Sequence, residues 1–218
     1  MRVVIAGGHG KIALLLEHLL AERGDRAVGL IRNPAHVAEV QKAGAEAVVC
    51  DLEAASVEDV AVLLSGADAV VFAAGAGAGS GAPRKDTVDR AASVLMADAA
   101  ERAGVRRFVQ ISSMGAGQPP QPGSDEVWAA YIAAKAAAEA DLRARDLDWT
   151  IVRPGGLTDA PATGRIRLAP PPVPRGMIPR ADVAAVIAAL LDDPGTRHQT
   201  LELVSGDSPV AAAVHSMS

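Results

Sequence analysis

Three groups of residues in this 218-residue chain have types and spacings that could do chemistry. Tyr131 and Lys135 stand at i and i+4 in an alanine-rich helical stretch, so they share a helix face. A lysine ammonium beside a phenol favours the phenolate, and a tyrosine so placed can pass a proton to or from a substrate oxygen. Tyr131 is the only tyrosine in the chain. A half-buried helix tyrosine reaching water with its hydroxyl fits the same pattern. Ser112-Ser113 ends an apolar run, where a hydroxyl could polarise the oxygen that Tyr131 would serve.

The second group is Gly7-Gly8-His9-Gly10-Lys11-Ile12-Ala13, between the apolar run Val3–Ala6 and a leucine-rich helical pattern. Strand, glycine turn and helix form the layout of a dinucleotide site. Gly7 allows a tight turn, and Gly10 lets backbone approach a pyrophosphate. The helix behind them offers free N–H groups and its positive dipole end. An ordinary glycine-rich turn would look the same in isolation.

The third group follows the other strands. Arg32 stands after the second, where an acid would hold the ribose hydroxyls of NAD; a cation suits the 2′-phosphate of NADP. This favours NADP(H) over NAD(H). Asp51 could accept from an adenine amino group while Leu52 packs on the ring, or Asp51 could cap a turn. Ala73, Ala74 and Gly75 are small enough for backbone to pass close to a cofactor.

These residues require an alternation of strands and helices to carry them. The pattern predicts strands at Arg2–Ala6, Ala27–Ile31, Ala47–Cys50, Ala69–Phe72, Arg107–Ile111, Trp149–Arg153 and Thr200–Val204. Helices are expected over Lys11–Arg23, Pro34–Lys42, a Ser56-capped segment, Lys85–Ala103, Val127–Arg145 and Ala181–Leu191. The expected fold is α/β: a single-domain, Rossmann-type, doubly wound parallel sheet with strand order 3-2-1-4-5-6 and the last strand added at the edge. A small substrate lid is expected at about 155–180. The segment Gly75–Gly81 is too glycine-rich for regular structure and could serve as a lid or a switch.

Composition narrows the classes. Half the residues are hydrophobic but only 2% aromatic, so Ala, Val and Leu must form the core. A net charge of −5 gives no basic footprint for nucleic acid. Cys50 is the only cysteine and the histidines are scattered, so no disulfide and no metal site is expected. No apolar run reaches membrane-spanning length, and Met1-Arg2 leads directly into a strand without room for a signal peptide. A cytoplasmic protein, monomer or homodimer, with a small-molecule acceptor as its partner is expected.

Taken together, the residues resemble the short-chain dehydrogenase/reductase superfamily. They are closest to its atypical branch of NAD(P)-binding proteins, with NADH-flavin and biliverdin reductase-like members and NmrA-like regulators. The resemblance lies in Ala6–Ala13, Ile31-Arg32-Asn33, Cys50-Asp51-Leu52, Phe72–Gly75, Gln110–Ser113, Tyr131–Lys135 with Ala138-Glu139, Ile151–Leu157 and Ile178–Ala184. It implies that Gly7, His9, Gly10, Lys11 and Ile12 hold the pyrophosphate, Arg32 the 2′-phosphate, and Asp51 and Leu52 the adenine. Ala73, Ala74 and Gly75 would line the nicotinamide-ribose path. Lys135 would bind ribose hydroxyls and tune Tyr131 as acid/base, with Ser113 rather than Ser112 orienting the substrate. Pro154, Gly155, Gly156 and Leu157 would border the carboxamide. Ser113 precedes Tyr131 by 18 positions, more than in the main branch, with a distinct loop Gln118-Pro-Pro-Gln-Pro-Gly between them.

The activity implied is NADP(H)-dependent hydride transfer to a small carbonyl, quinone, flavin or tetrapyrrole acceptor. The alternative is a non-catalytic NADP(H)-binding redox sensor acting through a protein partner. An epimerase is disfavoured by the short region after Pro154. Arg165 and Arg167, alternating on a short strand, could attract an anionic substrate or form a solvated ribbon.

Overall fold

The computed structural model describes residues 1–77, 79–118 and 125–218. Residues 119–124, most of the proline-containing loop anticipated after Gln118, lie outside the described residues.

In chain order the first half runs β1 (Arg2–Ala6), α1 (Lys11–Glu22), β2 (Arg26–Ile31), α2 (Val37–Lys42), β3 (Glu46–Val49), α3 (Val57–Leu64) and β4 (Ala69–Phe72). Next come a short α4 (Gly81–Arg84), a π-helical segment (Lys85–Ala91) and α5 (Ala92–Ala103). The second half runs β5 (Arg107–Ile111), α6 (Glu126–Arg143), β6 (Asp148–Pro154), β7 (Gly156–Thr158), β8 (Arg165–Ala169), β9 (Met177–Pro179), α7 (Arg180–Asp192), β10 (Gln199–Ser205), β11 (Ser208–Pro209) and α8 (Val210–His215).

The nine-stranded sheet has the order β11-β8-β10-β6-β5-β4-β1-β2-β3. From β3 to β10 every pairing is parallel. The anticipated order of the first six strands is present. The last predicted strand, however, is not at the edge. It forms β10, between β6 and β8, because β8 and β11 add antiparallel beyond it. The anticipated single helix over Lys85–Ala103 is also corrected: it starts earlier, at Gly81, and its first turns widen into the π segment.

Both faces of the sheet's centre are covered, so β1, β4 and β5 are buried along nearly their whole length, whereas β8 near one margin alternates buried and exposed residues. Val3 and Ile5 of β1 face α1 and α7, packing with Leu16, Leu20 and Ile187. Val4 and Ala6 point the other way, into a cluster with Leu64, Met96 and Leu142 from α3, α5 and α6. Helix α3 starts at a capping box in which Ser56 accepts from the Asp59 amide and Asp59 accepts from Ser56. Parallel strands place all their carboxyl ends along one rim, and the residues singled out above follow those ends.

Candidate cofactor and active site

The turn after β1 is built by close backbone approach. Gly7 and Gly8 both donate to the Leu30 carbonyl, at 3.1 and 3.0 Å, and Gly10 donates to Gly7 at 2.8 Å. Gly7 has φ +80°, and a Cβ there would lie 2.7 Å from the Ala74 backbone Cα. A Cβ at Gly8 would lie 2.5 Å from the Cα of Gly29. The backbone therefore fills the space that side chains would take. Helix α1 begins at Lys11 with no side-chain cap and no acid in its first turn. Its leading amides have no intrahelical acceptor, and its dipole is left uncompensated for an incoming anion.

A cleft of about 370 Å³ opens over this turn, within the usual size of a small-molecule site. Its floor includes Gly7, His9 and Gly10, and its walls include Arg32, Asp51 and Leu52. Ala73, Ala74 and Gly75 close the other side. Lys11 and Ile12 do not line it: the Lys11 ammonium is 2.6 Å from Asp159, and Ile12 packs on the core. Asp51 accepts from the Glu53 amide at 3.1 Å, the turn-capping role that its sequence also allowed. The cradle has the features a dinucleotide needs: close glycine backbone that would lie under the phosphates, a helix N-terminus that would face them, and a polar wall after the second strand.

Several lining residues were not anticipated. Arg84 lines the cleft beside Arg32, and both guanidinium groups converge on Glu53 Oε2, at 2.8 and 3.0 Å. Thr87 donates to the other Glu53 oxygen at 2.6 Å. The hydrogen bonds from Thr87 and Arg84 hold the Glu53 carboxyl below its ordinary range. His9 stacks on His36 with centroids 3.6 Å apart and bonds Glu39 at 2.9 Å. Arg84-Lys85 did leave a signal, because two cations at the start of a predicted helix oppose its dipole.

The residues expected at the nicotinamide end lie beyond the cleft, at the carboxyl ends of β5 and β6. Ser112 is buried and committed: its hydroxyl donates to Glu139 at 2.5 Å. Burial acts to raise the Glu139 carboxyl, but the bonds from Arg153 and Ser112 prevail and hold it low. Among the described residues the Ser113 hydroxyl makes only a 3.4 Å contact, to the Met114 carbonyl. The Met114 amide in turn bonds Pro154 O at 3.0 Å, which brings the serine turn against the end of β6. Gly155 and Gly156 donate to Leu203 and Gly176, both at 2.9 Å, while the Leu157 side chain is exposed.

Tyr131 is half-buried, with its ring 5.4 Å from that of Trp128. Lys135 does share its face, 5.7 Å from the ring centre. It is not free, however. Its ammonium is buried, 3.2 Å from Asp89 Oδ1, and donates to the Ile111 carbonyl at 3.2 Å. Asp89, also unanticipated, sits on the π segment and accepts from the Ala76 amide at 3.2 Å, tying down the glycine-rich segment. Arg165 and Arg167 share the exposed face of β8, and neither lines the cleft.

Residues 7–194 match the model of a family described as NAD(P)H-binding. The chain belongs to the NAD(P)H-binding family. This is the family that the sequence motifs resembled. A Bacillus subtilis relative named an uncharacterized sugar epimerase, YhfK, is 35% identical over 98% of this chain and 99% of its own. A solved structure from Bacillus halodurans, provisionally named an NAD-dependent epimerase/dehydratase, is 36% identical, covers 99% of each chain and superposes with a TM-score of 0.91. ChuY of Escherichia coli O157:H7, described as an anaerobilin reductase, is 26% identical over 95% of this chain and 98% of its own, with a TM-score of 0.81. Among the described residues of this NAD(P)H-binding protein, no helix is long and apolar enough to cross a membrane.

Proposed function

We propose that this protein is an NADP(H)-dependent reductase of a small organic acceptor. The observation that carries the reading is the cleft itself, in which an uncapped helix N-terminus faces one side and the arginines Arg32 and Arg84 border the other. The turn Gly7–Gly10 would hold the diphosphate, with Lys11 and Ile12 contributing backbone amides. Arg32 would take the 2′-phosphate, and Asp51 and Leu52 the adenine. Ala73, Ala74 and Gly75 would leave room for the second ribose, and Pro154–Leu157 would border the carboxamide.

When bound, the nicotinamide supplies a hydride. For a carbonyl acceptor, Tyr131 would donate its phenol proton to the carbonyl oxygen and recover a proton from solvent. Ser113 would hold that oxygen, since Ser112 is engaged by Glu139. Lys135 is buried against Asp89, so any ribose contact it makes would come from within that pair. The description of ChuY as an anaerobilin reductase supports an acceptor of that kind.

The epimerase name of the Bacillus subtilis relative supports a second reading, in which the same hydride is returned to the substrate. Titration of the purified protein with NADPH and NADH, followed by an acceptor panel, separates the possibilities. The reductase reading expects tighter NADPH binding and net NADPH consumption with at least one acceptor. Epimerisation consumes no net cofactor, and a redox sensor binds without turnover. Equal affinity for the two cofactors refutes the NADP preference.

A further inference from the structure

Glu53 stands where an incoming anion would. Its carboxylate lies in the wall of the cleft between two arginines from distant parts of the chain, Arg32 after β2 and Arg84 on α4. Both donate to Oε2, at 3.0 and 2.8 Å, and Thr87 holds Oε1 at 2.6 Å. The Glu53 side chain is 25% exposed, against 54% for Arg32 and 37% for Arg84, so it is the most enclosed of the three. The bonds from Thr87 and Arg84 keep it ionised at neutral pH.

Two guanidinium groups converging on one carboxylate oxygen form an arrangement that a phosphate also satisfies, with more oxygens to offer. The charge balance makes Glu53 the deciding member. Histidines aside, the charged side chains lining the cleft are Arg32, Arg84, Asp51 and Glu53, and their charges cancel. Without the Glu53 charge the wall carries one positive charge. A phosphate on the adenosine ribose must therefore share the arginines with a like charge or displace it. An unphosphorylated ribose meets no such conflict, because its hydroxyls can donate to a carboxylate, as they do to the acid of an NAD site.

We propose that Glu53 is a specificity-determining residue of the cleft: it occupies the pair Arg32 and Arg84, and so lowers the affinity for NADP(H) relative to NAD(H). Arg84 is then a second ligand for the 2′-phosphate, brought in by the segment that follows the glycine-rich stretch. The proposal deepens the reading of Arg32 as a phosphate ligand and rests on it, but it concerns how far the cofactor preference is held back.

Calorimetric titration of the purified protein with NADPH and NADH gives the ratio of the two affinities without any acceptor. Glu53→Gln keeps the size and an acceptor oxygen but removes the charge, and it should raise the NADPH-to-NADH affinity ratio roughly tenfold. The gain should shrink as salt is added, since the groups are partly exposed. Arg84→Gln should lower the ratio by roughly the same factor. Glu53→Ala serves if the glutamine variant does not fold. An unchanged ratio in a folded charge-free variant overturns the proposal, and an unchanged ratio in Arg84→Gln overturns the part given to Arg84. The wild-type ratio tests the NADP preference, and the change on substitution tests Glu53, so the two ideas fail separately.

Discussion

Glu17 should make the protein lose stability as the pH rises through neutrality. Its side chain is on α1, fully buried, and neither oxygen has a hydrogen-bond partner among the described residues. Oε1 points at Gly8 of the turn after β1 and Gly29 of β2: a Cβ built at Gly29 or Gly8 would lie 2.5 or 3.0 Å from it. Burial pushes the carboxyl up from the usual 4.5 to about 8. Between those values the unfolded chain has released this proton and the folded protein has kept it. The unfolded state therefore binds fewer protons, and stability falls with rising pH across the window and levels off above about 8. The full displacement corresponds to on the order of 5 kcal/mol, and relaxation of the surroundings should leave roughly half. Glu17→Gln cannot ionise, so it should lack this loss. At about 2–4 °C per kcal/mol for a chain of this size, the variant's Tm relative to wild type should rise by roughly 5–10 °C between pH 5 and pH 8. Differential scanning calorimetry at both pH values measures this, and the common background cancels in the difference. A Tm gap that stays constant with pH would refute the argument that Glu17 is neutral in the folded protein.

Three further outcomes are expected. Gly7→Ala must place a Cβ 2.7 Å from the Ala74 backbone at positive φ, so it should destabilise by roughly 2–4 kcal/mol in chemical denaturation and abolish cofactor binding. Arg32→Ala should weaken NADPH binding by roughly 10- to 100-fold in calorimetry while leaving NADH within about twofold; parallel losses for both cofactors would assign Arg32 to scaffolding. Tyr131→Phe should lower kcat by roughly 10²- to 10⁴-fold with cofactor affinity unchanged, and undiminished turnover would exclude proton transfer by this residue.

The parts of the fold and site that were legible in the sequence are those encoded locally. An apolar run, a glycine turn and a leucine pattern sufficed for β1, its turn and α1, and repetition of that unit carried the order of six strands. Residues after strand ends could be assigned to one rim because parallel strands share a direction. The interior place of β10 was not legible: the alternation at Arg165 and Arg167 marked a short strand, but nothing in it said that this strand returns antiparallel beyond β10, and β11 is only Ser208–Pro209. The π segment was hidden for a related reason: its hydrogen-bond spacing has no distinct side-chain pattern over seven residues. Asp89 acquires meaning only when α6 packs across it, bringing Lys135 from more than forty positions away. Glu17 has no signal of its own in the sequence, because nothing in a single helix pattern reveals that Gly8 and Gly29 leave it a buried slot.

The exposed arginines of β8 find a use at the sheet margin. Beyond β10, a continued parallel sheet would end in an open row of backbone donors and acceptors, the kind of border along which neighbouring molecules can zip together. Here the chain doubles back, the terminal strand β11 spans only Ser208–Pro209, and one of its residues lacks an amide altogether. Arg165 and Arg167 project from the strand just inside that border. Positive charge beside a truncated, proline-bearing fringe disfavours strand-on-strand recruitment at this end of the sheet.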